Sequence, residues 1–325
     1  MNALPTVQLS SLRWRGQGLV RPECVLALAN GSLLTSDWRG GVCEIAADGH
    51  QRLNTATLPD GRPLRPNGIA IAADGSLLLA QLGEHDGGVW RLTGDGHVTP
   101  WLTEVDGQTL PPTNFVLPTA DGGAWVTVST RRQPRALGYR REGGDGFIVR
   151  VDASGRAGIA ADGLGYTNEV ALHPSGRWLY VNETFARRLS RFELRTKGSL
   201  GAKEVVTTFG PGTFPDGLAF DVDGFAWVVS IVSNRLIRVA PDGTQTLWLE
   251  DAAPAHLAWV EAAFDAGTLG REHLDRAAGQ VLKNISSIAF TGPDRRTAVL
   301  GCLLGDRLAT LRLPASGALP LHWTP

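Results

Sequence analysis

Short apolar runs alternate with turn residues along this chain, and the pattern predicts a protein built almost wholly from β-strands. From Gly31 onward the order is strand, short loop, strand and turn. The same order returns after five further turn residues: Gly75, Gly122, Gly176, Gly224 and Asp294. Six copies of one unit, spaced by roughly 45–55 residues, are typical of a six-bladed β-propeller in which each copy is a four-stranded blade. A sandwich would also have many strands, but not one unit repeated in this way.

We therefore predict an all-β fold, with one propeller domain spanning residues 1–325. The segment VQLSSLRW near the N-terminus is expected to add an outer strand to the last blade, which would close the ring and protect its edge. A helical insertion is predicted at about 254–279, before the last blade. One face of this helix carries the apolar positions Leu257, Val260, Ala263 and Phe264. We expect a short lid over the channel or an oligomer contact.

The composition of the chain limits the classes of partner that we expect. The 325-residue chain has a net charge of -1 and no run of about 18 apolar residues, so we expect neither nucleic acid nor membrane as a partner. The odd set Cys24, Cys43 and Cys302 has no CxxC spacing and predicts reduced, buried thiols. The first residues lack the basic start and long apolar core of a signal peptide. We expect a cytoplasmic protein, monomeric or homodimeric.

A polar residue stands at the same register in every copy, eight positions before the turn residue. These six residues, which we call the polar ring, are Glu23, Asn67, Asn114, Asn168, Asp216 and Ser286. Each begins or precedes an apolar strand that is expected to line the central channel, so the six side chains should converge at one end of it. All carry oxygen atoms, and none is His or Cys, a set that suits Ca²⁺, Mg²⁺ or Mn²⁺. The alternative is that they only cap strand starts, but their presence in all six copies argues against it.

Five segments carry a resemblance to a known family. RPECVLA, PTNFVLPTADGGAWV, TNEVALHPSGRWLYVNET, FPDGLAFDVDGFAWV and ISSIAFTGPDRRTAVLG resemble the senescence-marker-protein/gluconolactonase family, which includes regucalcin and is related to luciferin-regenerating enzymes. The resemblance covers nearly the whole chain and implies a metal-dependent lactonase. It implies a divalent metal held by Glu23, Asn168 and Asp216, with Asn114 contacting the substrate or a metal-bound water. Ca²⁺ is the first expectation, with Mg²⁺, Mn²⁺ and Zn²⁺ as alternatives.

The chain also departs from that family. Regucalcin-like members have an Arg two positions before the residue matching Asn114 and an Asp directly after it, whereas this chain has Pro112 and Phe115. The polar contacts to a sugar lactone should therefore be fewer, and a less hydroxylated or more hydrophobic lactone is the expected small-molecule substrate. Glu169 stands where the family often has Gly, and we expect its side chain to point away from the channel.

Several residues near the channel mouth are candidate substrate contacts, with alternatives left open. They are Asn67, His85, Asn114, Phe115, Glu183 and Ser286. Glu183 could instead form a salt bridge with Arg187 or Arg188, and His85 could simply lie on the surface. The basic loop from Arg131 to Arg141 either steers anionic substrates or is a solvated loop.

The reaction that these residues suggest is metal-assisted hydrolysis of a cyclic carboxylic ester. Asp216 is the candidate general base, with a metal-bound hydroxide as the alternative, and Asn114 would orient the carbonyl or the water. The same site could instead hydrolyse phosphotriesters or fluorophosphates, and a non-enzymatic scaffold holding a structural ion is the third hypothesis. GxSxG, Walker-type and HExxH motifs are absent from the sequence, so serine-hydrolase, nucleotide and zincin chemistry have no support.

Overall fold

The computed structural model describes residues 6–55, 57–276 and 278–323, apart from the side chain of Lys197. Its main strands form six antiparallel sheets of four strands each. The first strand of every sheet contacts the first strands of both neighbouring sheets, and the last sheet contacts the first. The fold is thus the predicted six-bladed β-propeller, with the six inner strands around a central channel.

The strands and helices follow one another blade by blade. Blades one and two contain β2 (Val25–Ala27), β3 (Leu33–Asp37), β4 (Gly41–Ile45), β5 (Gln51–Thr55), β6 (Pro66–Ile71), β7 (Leu77–Gln81), β8 (Val89–Leu92) and β9 (Val98–Leu102). After the hairpin of β10 (Glu104–Val105) and β11 (Gln108–Thr109), blades three and four contain β12 (Phe115–Pro118), β13 (Ala124–Val128), β14 (Gly146–Val151), β15 (Ala157–Leu164), β16 (Thr167–Leu172), β17 (Trp178–Glu183), β18 (Arg188–Leu194) and β19 (Leu200–Thr208). Blades five and six contain β20 (Thr213–Phe220), β21 (Ala226–Val232), β22 (Arg235–Val239), β23 (Gln245–Leu249), α1 (Pro254–Asp265), α2 (Arg271–Leu274), β24 (Ile285–Thr291), β25 (Thr297–Cys302), β26 (Leu308–Arg312) and the N-terminal β1 (Arg13–Arg15).

The N-terminal strand closes the ring, as the sequence predicted. β1 pairs antiparallel with β26 and is the outermost strand of the last blade, with Arg13 opposite Thr310 and Arg15 opposite Leu308. The two ends of the chain therefore share one sheet. β1 therefore covers the edge of β26, which would otherwise be open to another strand.

The apolar core lies between the blades rather than at the centre of the molecule. A separate buried cluster fills the space between each pair of neighbouring blades, including the sixth and the first. The largest buried side chains of these clusters are Trp125 and Trp227, which are 2% and 0% exposed. They belong to the second strands of blades three and five. This arrangement leaves the channel to the polar residues at the starts of the inner strands. The three cysteines are buried and unpaired, as predicted.

The insertion before the last blade is helical, again as predicted. α1 buries Val260, Ala263 and Phe264. Phe264 packs against Phe185 and Phe214, with ring centroids 6.2 and 5.4 Å apart. These aromatic residues belong to a cluster that also includes mouth-side loops of blades three to six. We call the end of the channel where the polar ring lies the mouth, so α1 covers part of the mouth.

A buried ion pair holds the same helix. Arg187, which is 3% exposed, donates two hydrogen bonds to Glu261 of α1, at 3.0 and 2.6 Å. Its guanidinium also lies 4.3 Å from the ring centroids of Phe214 and Phe264, and a cation over an aromatic face is attracted to it.

No helix in the described residues is long and apolar enough to span a lipid bilayer.

Phe264→Ala should detach α1 from the mouth. A buried Phe→Ala change typically costs about 3–5 kcal/mol, because it removes apolar contact and leaves a cavity. Trp259→Ala is the matched control on the same helix, since Trp259 is 37% exposed, and it should cost about 1 kcal/mol or less. Chemical unfolding measures both. Equal losses for the two variants would contradict the packing described for α1.

Candidate functional site

The polar ring sits where the inner strands leave their regular pairing. Four inner strands shift register against the second strand of their blade at the ring position. The shifts fall between Pro66 and Ile69, Thr167 and Val170, Pro215 and Leu218, and Ile285 and Ser287. A β-bulge redirects side chains and frees main-chain groups from the ladder. All six ring residues are buried, with at most 7% of any of them exposed.

Three amide oxygens of the ring have no hydrogen-bond donor within the described residues. They are the Oδ1 atoms of Asn67, Asn114 and Asn168, all buried. The amide nitrogens of two of them are engaged, because Asn67 Nδ2 donates to the Asn114 carbonyl (3.1 Å) and Asn168 Nδ2 donates to Thr184 Oγ1 (3.0 Å). A buried acceptor without a donor is costly unless a bound group satisfies it. These oxygens are therefore candidates for contacts to a cation or a substrate.

The carboxyl groups of the channel repel one another. Burial, followed by the negative charges of Glu23 and Glu169, raises the pKa of Asp216 well above its ordinary value of 3.8, against the opposing effects of Arg21 and Asn168. Burial and the charge of Glu23 also raise the pKa of Glu169, to about 8. Without a bound cation, the channel therefore favours the protonated forms of Asp216 and Glu169.

The donor set fits a divalent cation that prefers oxygen. Asp216 and Glu23 supply buried carboxylates, and Asn168 supplies an amide oxygen that no donor of the described residues uses. In the described part of the chain, no three His, Cys, Asp or Glu side chains are grouped to hold a metal, so a cation at this place would need amide oxygens as well as carboxylates. Oxygen-only ligands favour Ca²⁺ or Mg²⁺ over softer metals.

Two residues that the sequence analysis did not single out as supports hold the Asp216 segment. Asn182 Nδ2 donates to the main-chain carbonyls of Asp216 (2.9 Å) and Gly217 (3.1 Å). Thr184 Oγ1 donates to the Pro215 carbonyl at 2.8 Å and accepts the hydrogen bond from Asn168. These contacts join blade four to blade five beside the ring. Their only sequence signal was their place in VNET, directly after an apolar strand.

Arg21 is a third residue that sequence reasoning missed. Its Nε lies 2.8 Å from Glu23 Oε2, and both side chains are only 9% exposed. The guanidinium also lies 4.3 Å from the ring centroid of Trp38. Arg21 thus offsets one carboxylate of the channel, while the other oxygen of Glu23 has no hydrogen-bond donor among the described residues.

Ser286 has a different role from the predicted substrate contact. Its hydroxyl donates to the main-chain carbonyl of Glu23 at 2.9 Å. This hydrogen bond holds the main chain at Glu23 across the junction between blades six and one. Phe115, another predicted contact, is half-buried and packs against the cluster between blades one and two and the cluster between blades three and four.

The structure does not bring Glu183 into the channel. Both of its carboxylate oxygens are used inside blade four, by Arg188 (2.7 and 2.6 Å), Ser190 (2.6 Å) and the amide of Gly165 (2.7 Å). The salt-bridge alternative with Arg188 is the one observed, and the substrate-contact prediction is wrong. The physical reason is that Glu183 ends the second strand of its blade and faces the third.

His85 and most of the basic loop are also turned away from the site. The His85 side chain is 75% exposed on the β7–β8 loop, which agrees with the surface alternative. In the basic loop, Arg131 and Arg141 pair with Asp162 and Asp265, and Arg140 donates to two main-chain carbonyls. Much of the positive charge of the loop is thus neutralised locally.

Glu169 points into the channel, contrary to the prediction. Its Oε2 accepts a hydrogen bond from the main-chain amide of Leu218 in blade five at 2.9 Å. The bulge at Asn168 explains the error, because two consecutive residues of a bulge can face the same side. A strict alternation of strand faces, which the sequence reasoning assumed, fails at this position.

These features define a class of protein: a six-bladed propeller with a buried oxygen-ligand site at one end of its channel. The chain matches the SMP-30/gluconolactonase/LRE-like region model over residues 21–256, well over half of its length, and it belongs to that family. The expected family is thereby confirmed.

Individual relatives agree with this family membership. The 6-deoxy-6-sulfogluconolactonase of Pseudomonas putida is 34% identical over 151 residues, which are 46% of this chain and 42% of that protein. The alignment thus spans less than half of that relative. A gluconolactonase of Xanthomonas campestris has a TM-score of 0.68 at 19% identity, covering 93% of this chain and 89% of that one. The calcium-binding protein regucalcin of Agrobacterium tumefaciens has a TM-score of 0.68 at 18% identity, covering 96% and 98%. At these identities the two structures bear on the fold alone.

The raised pKa values predict how stability depends on pH. Asp216 and Glu169 bind protons more tightly in the folded chain than in the unfolded one. In the presence of a chelator, their contribution to folding stability should therefore fall as the pH rises from about 4 towards 8. A saturating divalent cation should reduce this fall, because it binds the deprotonated carboxylates and releases their protons.

Thermal unfolding of the wild type and Asp216→Asn at pH 5, 6.5 and 8 isolates the effect from other titrating groups. In chelator, the wild type should lose stability relative to Asp216→Asn as the pH rises. A difference that stays constant, or that grows in favour of the wild type, would contradict the mutual repulsion of the channel carboxyl groups.

Proposed function

We propose that the protein is a metal-dependent lactonase, a carboxylic ester hydrolase acting at the polar ring. The observation that carries this proposal is the group of three buried amide oxygens that lack a donor in the described part of the chain, in the same ring as the carboxylates of Glu23 and Asp216. Membership of a gluconolactonase-like family supports lactone hydrolysis as the reaction. Glu23, Asn168 and Asp216 would hold the cation, with Ca²⁺ as the first candidate. When bound, the cation supplies a positive charge that stabilises the developing oxyanion of the substrate.

Residues of the chain itself would accept the proton, orient the reactants and hold the base in place. Asp216 accepts a proton from the attacking water, as a buried carboxylate at the polar ring can. Asn114 orients the carbonyl or the water through its free Oδ1 and its amide hydrogens. Asn182 and Thr184 hold the main chain on either side of Asp216, which keeps the base in one orientation.

The substrate that we propose is a lactone with fewer hydroxyl groups than glucono-lactone. Pro112 is buried and Phe115 is half-buried on either side of Asn114, so this part of the channel offers few partners for sugar hydroxyls. The Pseudomonas putida relative is named for a sulfonated glucono-lactone, and an anionic lactone is therefore a useful member of any substrate panel.

A substrate panel tests this proposal. The panel comprises δ-valerolactone, δ-decalactone, glucono-1,5-lactone, a sulfonated glucono-lactone, phenyl acetate and a phosphotriester, each assayed by proton release with EGTA and with Ca²⁺, Mg²⁺, Mn²⁺ or Zn²⁺ added back. We expect the alkyl lactones to exceed glucono-1,5-lactone in kcat/KM by about tenfold or more, since each unpaired substrate hydroxyl costs roughly 1–3 kcal/mol. EGTA should abolish the activity.

The panel also separates the alternatives. A highest kcat/KM for glucono-1,5-lactone would reject the less hydroxylated substrate, and a preference for the phosphotriester would replace the lactonase by a phosphotriesterase. Metal binding without turnover of any compound would favour a scaffold that holds a structural ion.

Asp216→Asn separates the role of a ligand from that of a base. The amide keeps an oxygen of nearly the same position, so cation binding should weaken but survive at high cation concentration. Turnover should stay about 10²–10⁴-fold below the wild type even at saturation, because an amide cannot accept the proton of water. Calorimetry establishes saturation before kcat is measured.

Asn114→Ala is the control for that experiment. It should keep the cation and distribute its effect over KM and kcat, since Asn114 would contact the substrate or water. If Asp216→Asn recovers near wild-type kcat at saturation, Asp216 is only a ligand and the base is a metal-bound hydroxide.

A further inference from the structure

Glu169 is a buried carboxyl group of the channel for which the proposed reaction has no role. It follows Asn168 directly within the bulge of β16, and only 6% of it is exposed. Its carboxylate crosses from blade four to blade five, where Oε2 accepts the hydrogen bond of the Leu218 amide at 2.9 Å. The residue that Glu169 contacts, Leu218, is therefore two positions after Asp216.

The equivalent positions of two other blades are glycines, and both are closely packed. A Cβ atom at Gly68 would lie 2.6 Å from the Phe115 ring, and one at Gly217 would lie 2.5 Å from Ser287 Cα. Such contacts exclude any side chain. Blade four differs, because Glu169 occupies the equivalent position and its side chain reaches the amide of Leu218 in blade five.

The Leu218 amide needs the partner that Glu169 provides. β20 is the inner strand of its blade, so one edge faces the channel, and an edge amide in a buried place must be paired. The register shift between Pro215 and Leu218 makes this segment irregular. Glu169 supplies an acceptor where no neighbouring strand offers a regular ladder.

Asn182 holds the same three residues from the opposite side. Its Nδ2 donates to the carbonyls of Asp216 and Gly217, whereas Glu169 accepts from the amide of Leu218. The main chain from Asp216 to Leu218 is thus fixed by side chains on both sides. Since the direction of the Asp216 side chain follows from that main chain, both contacts bear on where its carboxylate points.

We propose that Glu169 is a positioning residue, whose hydrogen bond to Leu218 holds Asp216 in the orientation that the cation and the reaction require. This inference rests on the proposed function in that Asp216 is assigned there as ligand and base. The role belongs to the hydrogen-bond acceptor, so a side chain of the same shape that still accepts a hydrogen bond must preserve it.

The test compares Glu169→Gln, which keeps an acceptor of the same length, with Glu169→Leu, which keeps comparable bulk without an acceptor. Glu169→Ala is the second variant if Glu169→Leu does not fold. Three quantities are measured: amide hydrogen exchange in the peptide Thr213–Phe220, Ca²⁺ affinity by calorimetry, and kcat on the best lactone at saturating Ca²⁺.

Glu169→Gln should keep the exchange of the Leu218 amide within about threefold of the wild type, and its changes in Ca²⁺ affinity and kcat should be clearly smaller than those of the variant without an acceptor. The variant without an acceptor should exchange the Leu218 amide at least about tenfold faster and bind Ca²⁺ about 10–100-fold more weakly, the usual effect of losing a residue that orients a ligand. Its kcat at saturation should fall more than its KM rises, because a displaced base impairs the reaction itself.

Two results would overturn the proposal. One is unchanged exchange and Ca²⁺ affinity in the variant without an acceptor, and the other is an equal loss in Glu169→Gln, which would assign the effect to charge. If the wild type hydrolyses no lactone while exchange and Ca²⁺ affinity still respond as expected, the proposed reaction fails and the positioning role stands. If the wild type binds no Ca²⁺, the ligand role of Asp216 fails, and the exchange measurement alone decides whether Glu169 holds the segment.

Discussion

The repulsion between carboxyl groups buried together in the channel is the constraint on which this site depends. Glu23, Glu169 and Asp216 are buried near one another, and like charges repel far more strongly there than in water. Arg21 offsets only one of the three. The remaining negative charge must be met by protons or by a cation, so protonation and cation binding compete for the same groups. An apolar channel, as in a structural scaffold, would face no such competition.

The contacts that close the ring of blades are largely the contacts that build the site. The inner strands are edge strands whose free groups must be satisfied across the blade junctions. Gly68 donates to the Asn114 carbonyl, Leu218 donates to Glu169, and Ser286 donates to the carbonyl of Glu23. Loosening a junction would therefore disturb both the fold and the orientation of a ring residue.

The sequence predicted those features that repetition enforces. Six copies of a strand unit required six blades, and the N-terminal strand segment could pair with the open edge of β26. The polar residue recurred at one register because each blade presents the same position to the channel. Features that depend on one blade alone were not accessible. Glu169 lies in a bulge that breaks the alternation of faces, and Arg21 reaches Glu23 through a turn with a positive φ of 52°. None of these local departures follows from a pattern averaged over six copies.

The helical insertion makes the mouth unequal around its circumference. The aromatic cluster that anchors α1 involves mouth-side residues such as Tyr139, Phe185 and Leu303 from blades three, four and six. The corresponding loops of blades one and two contribute no described residue to it. The free border of the mouth on that side includes Trp38, whose indole nitrogen donates to the Pro66 carbonyl, one residue before Asn67. The guanidinium groups of Arg21 and Arg65 lie 4.3 and 5.7 Å from the ring centroid of Trp38, so this border is partly cationic. The proposed preference for a substrate poorer in hydroxyl groups than a sugar lactone therefore rests on the apolar neighbours of Asn114, Pro112 and Phe115.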